Sequence, residues 1–217
     1  MSTADQPATG ATLNDLDSPF PTARQRSRER AAKREAVLRA AVRMFNERGF
    51  HQTSLDDVAA RLGVSKPTIY HYLGNKDQVL LECVKLGLTQ LLDAAAASRA
   101  LPGTGADRLV TFLTRYAEIN MDDFGRCVVR TRDEALEPDS RTKFRALKRQ
   151  IDDQLRGLIA DGMADGSLAP GDPKLLGFAL AGALNWIGHW HEPTGALAPN
   201  DIARQLVTTL ARGFLPR

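Results

Sequence analysis

The sequence predicts an all-α protein, and three observations carry that expectation. Apolar residues recur at i, i+3, i+4 and i+7 along most of the 217 residues, and no segment alternates apolar and polar positions as a half-buried strand would. Helix-start signals, a Ser, Thr or Asn followed three residues on by Asp or Gln, precede several of these stretches.

Composition narrows the class. A hydrophobic content of 43% with 29 Lys/Arg against 26 Asp/Glu is that of a soluble globular chain and excludes a long disordered one. Cys83 and Cys127 lie 44 positions apart without CxxC or Cys/His spacing, so neither a disulfide scaffold nor a zinc site is expected, and a reducing compartment fits. Residues 1–22 carry Asp5, Asp15 and Asp17 and no basic residue, unlike a secretory signal, and are expected to be a disordered tail. The longest uncharged apolar run, 175–190, has 16 residues. That is short of the roughly 20 needed to cross a bilayer.

The first periodic stretch, Val37, Ala40, Ala41, Met44 and Phe45, forms one face of a helix ending at Gly49. A shorter element follows with Leu55, Val58, Ala59 and Leu62, capped by Thr53 or Ser54. Gly63 permits a sharp turn, Ser65 caps a third helix with Pro67 in its first turn, and Ile69 and Leu73 point inward. A fourth helix starts at Asn75 with Gln78 three residues on. Three helices within about fifty residues, the last two joined through a glycine turn, are the arrangement of a helix-turn-helix.

Charge singles out the same unit. Residues 23–76 carry a net +7, against −1 for residues 77–217 and −3 for the first 22. The densest part is Arg24, Arg26, Arg28, Arg30, Lys33 and Arg34. Such a cluster is either a solvated helix start or an attraction for phosphates through counterion release.

The runs 45–50 (FNERGF), 53–59 (TSLDDVA), 63–72 (GVSKPTIYHY) and Asn75-Lys76-Asp77 stand in order within residues 37–80. With them, this stretch resembles the DNA-binding domain of TetR-family transcriptional repressors. Leu73-Gly74 departs from it, the family more often having an aromatic followed by a polar residue. The resemblance implies a DNA surface made of Ser65, Lys66, Pro67, Thr68, Tyr70, His71 and Tyr72. Thr53, Ser54 and Lys76 would hold flanking phosphates. Core packing is the competing role for Tyr72. Because one short recognition helix spans few base pairs, the expected partner is double-stranded DNA with a roughly palindromic operator, bound by a homodimer.

Beyond Lys76 the pattern stays helical, with segments expected at 76–100, 106–120, 124–136, 139–163, 173–191 and 199–213. The expected domains are therefore 1–22, a tail; 23–75, the helix-turn-helix; and 76–217, a helical ligand-binding and dimerisation domain. Small residues Gly177 and Ala181, with Trp190, Leu206 and Leu210, are expected at a dimer interface, since the last two segments resemble the helices with which TetR-type subunits pair.

The stretch from Trp186 through 190–197 (WHEPTGAL) to Ile202-Ala203 resembles a TetR subgroup that includes acyl-CoA-responsive regulators of fatty-acid and sterol-side-chain catabolism. This implies a large amphipathic inducer between helices, with Phe112, Tyr116, Phe178 and Trp186 on its apolar part and Arg126, Arg130 and Arg132 as candidates for an anionic head group, surface solvation being the competing role for each arginine. The alternative is a repressor of efflux or detoxification genes induced by a small hydrophobic compound. His189 and His191, two apart on a helix, point about 200° away from each other, so no shared metal is expected. Without HExxH or GxSxG no enzymatic role is expected, and no cofactor. The expectation is a cytoplasmic regulator with no membrane association.

Overall fold

A computed structural model describes residues 22–212, and every regular element among them is helical. The tail 1–21 and Gly213, the expected end of the last helix, lie outside the described residues. Thr22 is described: it caps α1 (Ala23–Arg48) in a reciprocal box with Gln25, so this helix starts well before its apolar face begins at Val37. The basic run occupies the exposed first turns, with Arg34 paired to Glu82 at 3.2 Å.

α2 (Leu55–Leu62) and α3 (Lys66–Leu73) pack on α1 through Val58, Ala59, Ile69 and Leu73, all buried against Val42 and Phe45 in one continuous core. The turn between them needs glycine: Gly63 sits at φ 64°, ψ 30°, a left-handed conformation costly for any residue with a Cβ. Leu73 occupies the core and Gly74 ends α3, so the departure from the family pattern is accommodated.

α4 (Lys76–Arg99), started by a capping box between Asn75 and Gln78, is the spine of the second domain and packs on α5 (Gly105–Met121), α6 (Asp123–Arg130) and α7 (Pro138–Ala164). α8 (Pro173–Trp190) covers α5, α6 and α7, and α9 (Pro199–Ala211) lies on α5. A Cβ at Gly105 would land on the backbone of Gly162, so glycine lets α5 and α7 touch there. At the same crossing Asp165 accepts from the Gly105 N–H at 2.6 Å and Ser167 from that of Ala106 at 2.9 Å. Away from this crossing, α4, α5, α6, α7 and α8 line a cavity.

The expected helix 124–136 is corrected. It stops at Arg130; Thr131 is extended, a 3₁₀ turn covers Asp133–Ala135, and Leu136 is buried. No glycine or proline marks the break. Extension at Thr131 lets Leu136 enter the core and brings Asp133 to α7, gains that local propensity does not register.

Candidate nucleic-acid interface and ligand cavity

The outward face of α3 carries Lys66, Pro67, Tyr70 and His71, all exposed, with Tyr70 at 51%. Lys66 Nζ lies 2.5 Å from Asp56 Oδ2 on α2, and this carboxylate raises the lysine pKa, chiefly by hydrogen bonding. Ser65 caps α3 and its hydroxyl lies 2.7 Å from that of Thr68, which is half-buried. Tyr72 is half-buried on the core with its ring edge-on to His71, and braces the helix.

Ser54 caps α2, its Oγ accepting from the Asp57 N–H at 3.0 Å. Thr53 is corrected. Its side chain is buried, with the hydroxyl donating to the Met44 and Gly49 carbonyls at 3.3 and 3.0 Å, so it closes the end of α1 and offers nothing to a phosphate. Lys76 lies over the Phe50 ring at 4.3 Å and donates to the His51 carbonyl at 3.4 Å; partial burial lowers its pKa. A groove of about 390 Å³ gathers Ser54, Tyr70 and Lys76 with His51, Gln52 and Asn75, and Thr53 borders it with its hydroxyl turned to the end of α1. The N-termini of α2 and α4 open onto it, and both attract anions. His51, Gln52 and Asn75 were missed as candidates. Their sequence signal was adjacency to two helix starts.

The second-domain cavity measures about 650 Å³. Its apolar walls are Leu88 and Leu91 of α4, Val128 and Val129 of α6, Ile151 and Leu155 of α7, and Phe178 and Ala181 of α8. Tyr116 lines it, donating its hydroxyl to Asn185 Oδ1 at 3.1 Å, and burial pushes its pKa up to about 12. Phe112 does not line the cavity: fully buried, it supports Tyr116 edge-on from behind at 5.7 Å. Trp186 is corrected to the outer surface, 64% exposed beside His189.

The cationic assignments are also corrected. Neither Arg126 nor Arg130 lines the cavity; their guanidinium groups are taken up by His191 and by the Gly188 carbonyl. The cations on its wall are Arg145, Lys148 and Arg149, at i, i+3 and i+4 of α7. That spacing was legible in the sequence, but which face of α7 it occupied was not. Asp133 spans Arg145 and Lys148 at 2.5 Å each, and these partners, Lys148 foremost, hold its carboxyl below the usual range.

Arg130 joins the two domains. Its guanidinium donates to the Gly188 carbonyl of α8 at 2.8 Å and the Asn46 carbonyl of α1 at 2.9 Å. At the other end of α6, Asp123 accepts from Arg43 at 2.8 Å, and its carbonyl accepts from Asn46 Nδ2 at 2.8 Å. The helix that walls the cavity is thus tied at both ends to the first helix of the DNA-binding unit.

Arg126 is buried, its Nη2 lying 2.8 Å from His191 Nδ1 and donating to the His191 carbonyl at 3.0 Å. A guanidinium has no acceptor, so Nδ1 accepts and the imidazole proton sits on Nε2. Burial first, and the Arg126 charge second, lower the His191 pKa. A base whose pKa is depressed by folding contributes stability that is intact above its unfolded value, about 6.5, and is lost as pH falls through the folded value. The thermal midpoint is therefore expected to drop more between pH 7.5 and 5 in the wild type than in His191→Asn. Parallel pH profiles from scanning calorimetry would count against this pairing.

Leu175, Phe178, Trp186 and Trp190 form an exposed apolar stripe along α8, with Gly182 open between them. One interface assignment is corrected: Gly177 is buried and packs α8 on Arg156 and Ile159 of its own chain, while Ala181, half-buried, lines the cavity. Leu206 and Leu210 are half-buried on the core. Among the described residues no cluster of three or more His, Cys, Asp or Glu is placed to hold a metal, and no helix is long and apolar enough to cross a membrane.

A basic helix-turn-helix bonded through α4 and α6 to a domain with a ligand-sized cavity defines a DNA-binding regulator. The chain belongs to the TetR family: residues 37–83 match the family model of tetR-family bacterial regulatory proteins, and residues 102–214 that of tetracyclin repressor-like C-terminal domains. Among curated relatives, the HTH-type transcriptional repressor KstR2 of Mycolicibacterium smegmatis is 24% identical over 196 residues, covering 85% of this chain and 91% of its own. The solved structure of PfmR, a TetR-family regulator from Thermus thermophilus, superposes with a TM-score of 0.75 at 29% identity, over 83% of this chain and 99% of that one. AibR, solved with isovaleryl coenzyme A and operator DNA, shares the fold at a TM-score of 0.72 and 23% identity, over 82% and 97% of the two chains.

Proposed function

We propose that this protein is a cytoplasmic, homodimeric repressor that binds a palindromic operator and is released by a coenzyme A thioester. The observation that carries the ligand class is the triplet Arg145, Lys148 and Arg149 on the wall of a cavity of about 650 Å³ whose remaining lining is mainly apolar and includes a single carboxylate, Asp152, itself paired with Arg156. A thioester of coenzyme A has the matching two halves, an acyl chain for the apolar walls and phosphates for the cations. The names of KstR2, a repressor, and of AibR, bound to a coenzyme A thioester and DNA, agree with this reading.

Release follows from differential affinity for two states. An acyl chain against Val128 and Val129 shifts α6, and α6 is bonded to α1 through Asp123 and Arg130. Phosphates at Arg145 and Lys148 compete with Asp133, whose 3₁₀ turn follows α6 directly. The DNA-binding unit moves with α1, which changes the spacing of paired recognition helices.

Fluorescence anisotropy of operator DNA with increasing acyl-CoA tests this. Release at micromolar thioester is expected, and Arg149→Ala should need about tenfold more, the equivalent of one charge-assisted hydrogen bond. Release by free hydrophobic compounds, with indifference to every thioester, would instead favour a regulator of efflux or detoxification genes.

A further inference from the structure

We infer that the chain carries a second ligand site, for a small monocarboxylate with a compact apolar body, in the cleft between the DNA-binding unit and the second domain. A cavity of about 290 Å³ lies there and shares only Thr131 with the lining of the larger one. Both units build it: α1 and the turn after it contribute Phe45 and Phe50, α4 contributes Leu80, and the turn after α6 contributes Arg132 and Ala135.

The lining is apolar in one part and cationic in the other. Phe45 and Phe50, whose rings meet edge-on at 5.3 Å, join Leu80 and Ala135 in the apolar part. Arg130 and Arg132 supply the charge. Arg130 directs its N–H groups to the Gly188 and Asn46 carbonyls, which satisfy hydrogen bonds without cancelling a net charge. Arg132 does not line the larger cavity; it is exposed, and its guanidinium has no hydrogen-bond or ion-pair partner among the described residues. Among those residues no carboxylate lines the cleft. Two cations beside an apolar wall, with no anion of the protein's own, select a ligand whose charge sits at one end, and the guanidinium fork matches a carboxylate. The volume is at the lower end for small-molecule sites, so the occupant has about ten non-hydrogen atoms. A coenzyme A thioester is far larger, which makes this ligand a different one.

The position links occupancy to DNA binding. Asn46 and Arg130, whose 2.9 Å bond ties α6 to α1, both line the cleft. So do Phe50 and His51, which hold Lys76 through the ring at 4.3 Å and the carbonyl at 3.4 Å. A ligand touching both units stabilises the arrangement in which it fits and opposes a movement of α6 against α1. It therefore raises the thioester concentration needed for release. That effect rests on the thioester reading, whereas the site itself does not.

The test titrates phenylacetate, hexanoate and their neutral amides into the full-length protein by calorimetry. At least one acid is expected to bind with a Kd on the order of 0.1 mM, and its amide about tenfold more weakly or worse. Arg132→Gln, at an exposed side chain, and Ala135→Leu, which takes up cavity volume, should each weaken the acid about tenfold or more, while Arg149→Ala in the larger cavity leaves it within about twofold. A cooperative melt establishes that Ala135→Leu is folded, and Arg132→Gln decides the matter if it is not. Binding of neither acid overturns the inference, as does binding that survives Arg132→Gln. Binding that survives in a folded Ala135→Leu places the acid on the surface, and loss in Arg149→Ala places it in the larger cavity; either result also overturns the site. With the acid bound, operator release should need about threefold more acyl-CoA. An unchanged midpoint overturns the regulatory role alone. No release by any thioester overturns the thioester reading, and the site then stands or falls by the titrations.

Discussion

Trp186→Asp is expected to leave each subunit folded, to split the dimer, and to lower operator affinity by about a hundredfold or more. Within one chain the Trp186 ring is 64% exposed and meets the His189 ring at 5.0 Å, so the fold loses little when it is replaced. Its value lies in what it would cover. Leu175, Phe178 and Trp190 continue the same stripe, and large exposed apolar patches of this kind mark surfaces that pair. A carboxylate at the centre of such a contact would be buried twice, once from each subunit, without a partner. A monomer then engages one half-site and forfeits the local concentration of the second. Sedimentation equilibrium and anisotropy on the same preparation check this. A variant that remains dimeric with unchanged operator affinity would move the interface elsewhere.

Lys66→Ala and Tyr70→Ala should each lower operator affinity about tenfold, with the double variant approaching a hundredfold if the two contacts are independent. Neither should disturb folding or dimerisation. The Lys66–Asp56 pair is exposed, and exposed pairs contribute little to stability. Tyr70 is half exposed, whereas its neighbour Ile69 is fully buried and carries the packing. The loss from Lys66 should diminish as salt rises if it contacts phosphate, and persist if it reads a base edge. Undiminished affinity in both variants, with dimerisation intact, would exclude this face of α3 as the reading surface.

The helix-turn-helix was legible because its signals are local. Ser54, Ser65 and Asn75 cap the three helices they precede, and Gly63 takes the left-handed turn between α2 and α3. Ile69 and Leu73 are buried, as their spacing requires. Most later helices were also found within a residue or two of their ends, again because Pro138, Pro173 and Pro199 mark starts.

What was not legible depended on neighbours distant in sequence. Thr53 and Ser54 are equivalent as caps in the sequence, but only the end of α1 decides that Thr53 turns inward. Arg126, Arg130 and Arg145 are indistinguishable as charges. Their fates differ because two face α8 and the end of α1, while the third borders open space. Gly177 and Ala181 show that small residues permit close approach without naming the partner; here one meets α7 and the other a cavity.

Phe178 both lines the cavity and stands 55% exposed on the outer stripe of α8. Subunit pairing across this stripe would set a neighbour's atoms against the back of a ring that lines the cavity. Occupancy and association would then share one free-energy cycle, and the factor by which inducer alters pairing equals the factor by which pairing alters inducer affinity. The dose of inducer needed for derepression should accordingly depend on how much of the regulator a cell contains, giving its abundance a voice in setting the threshold.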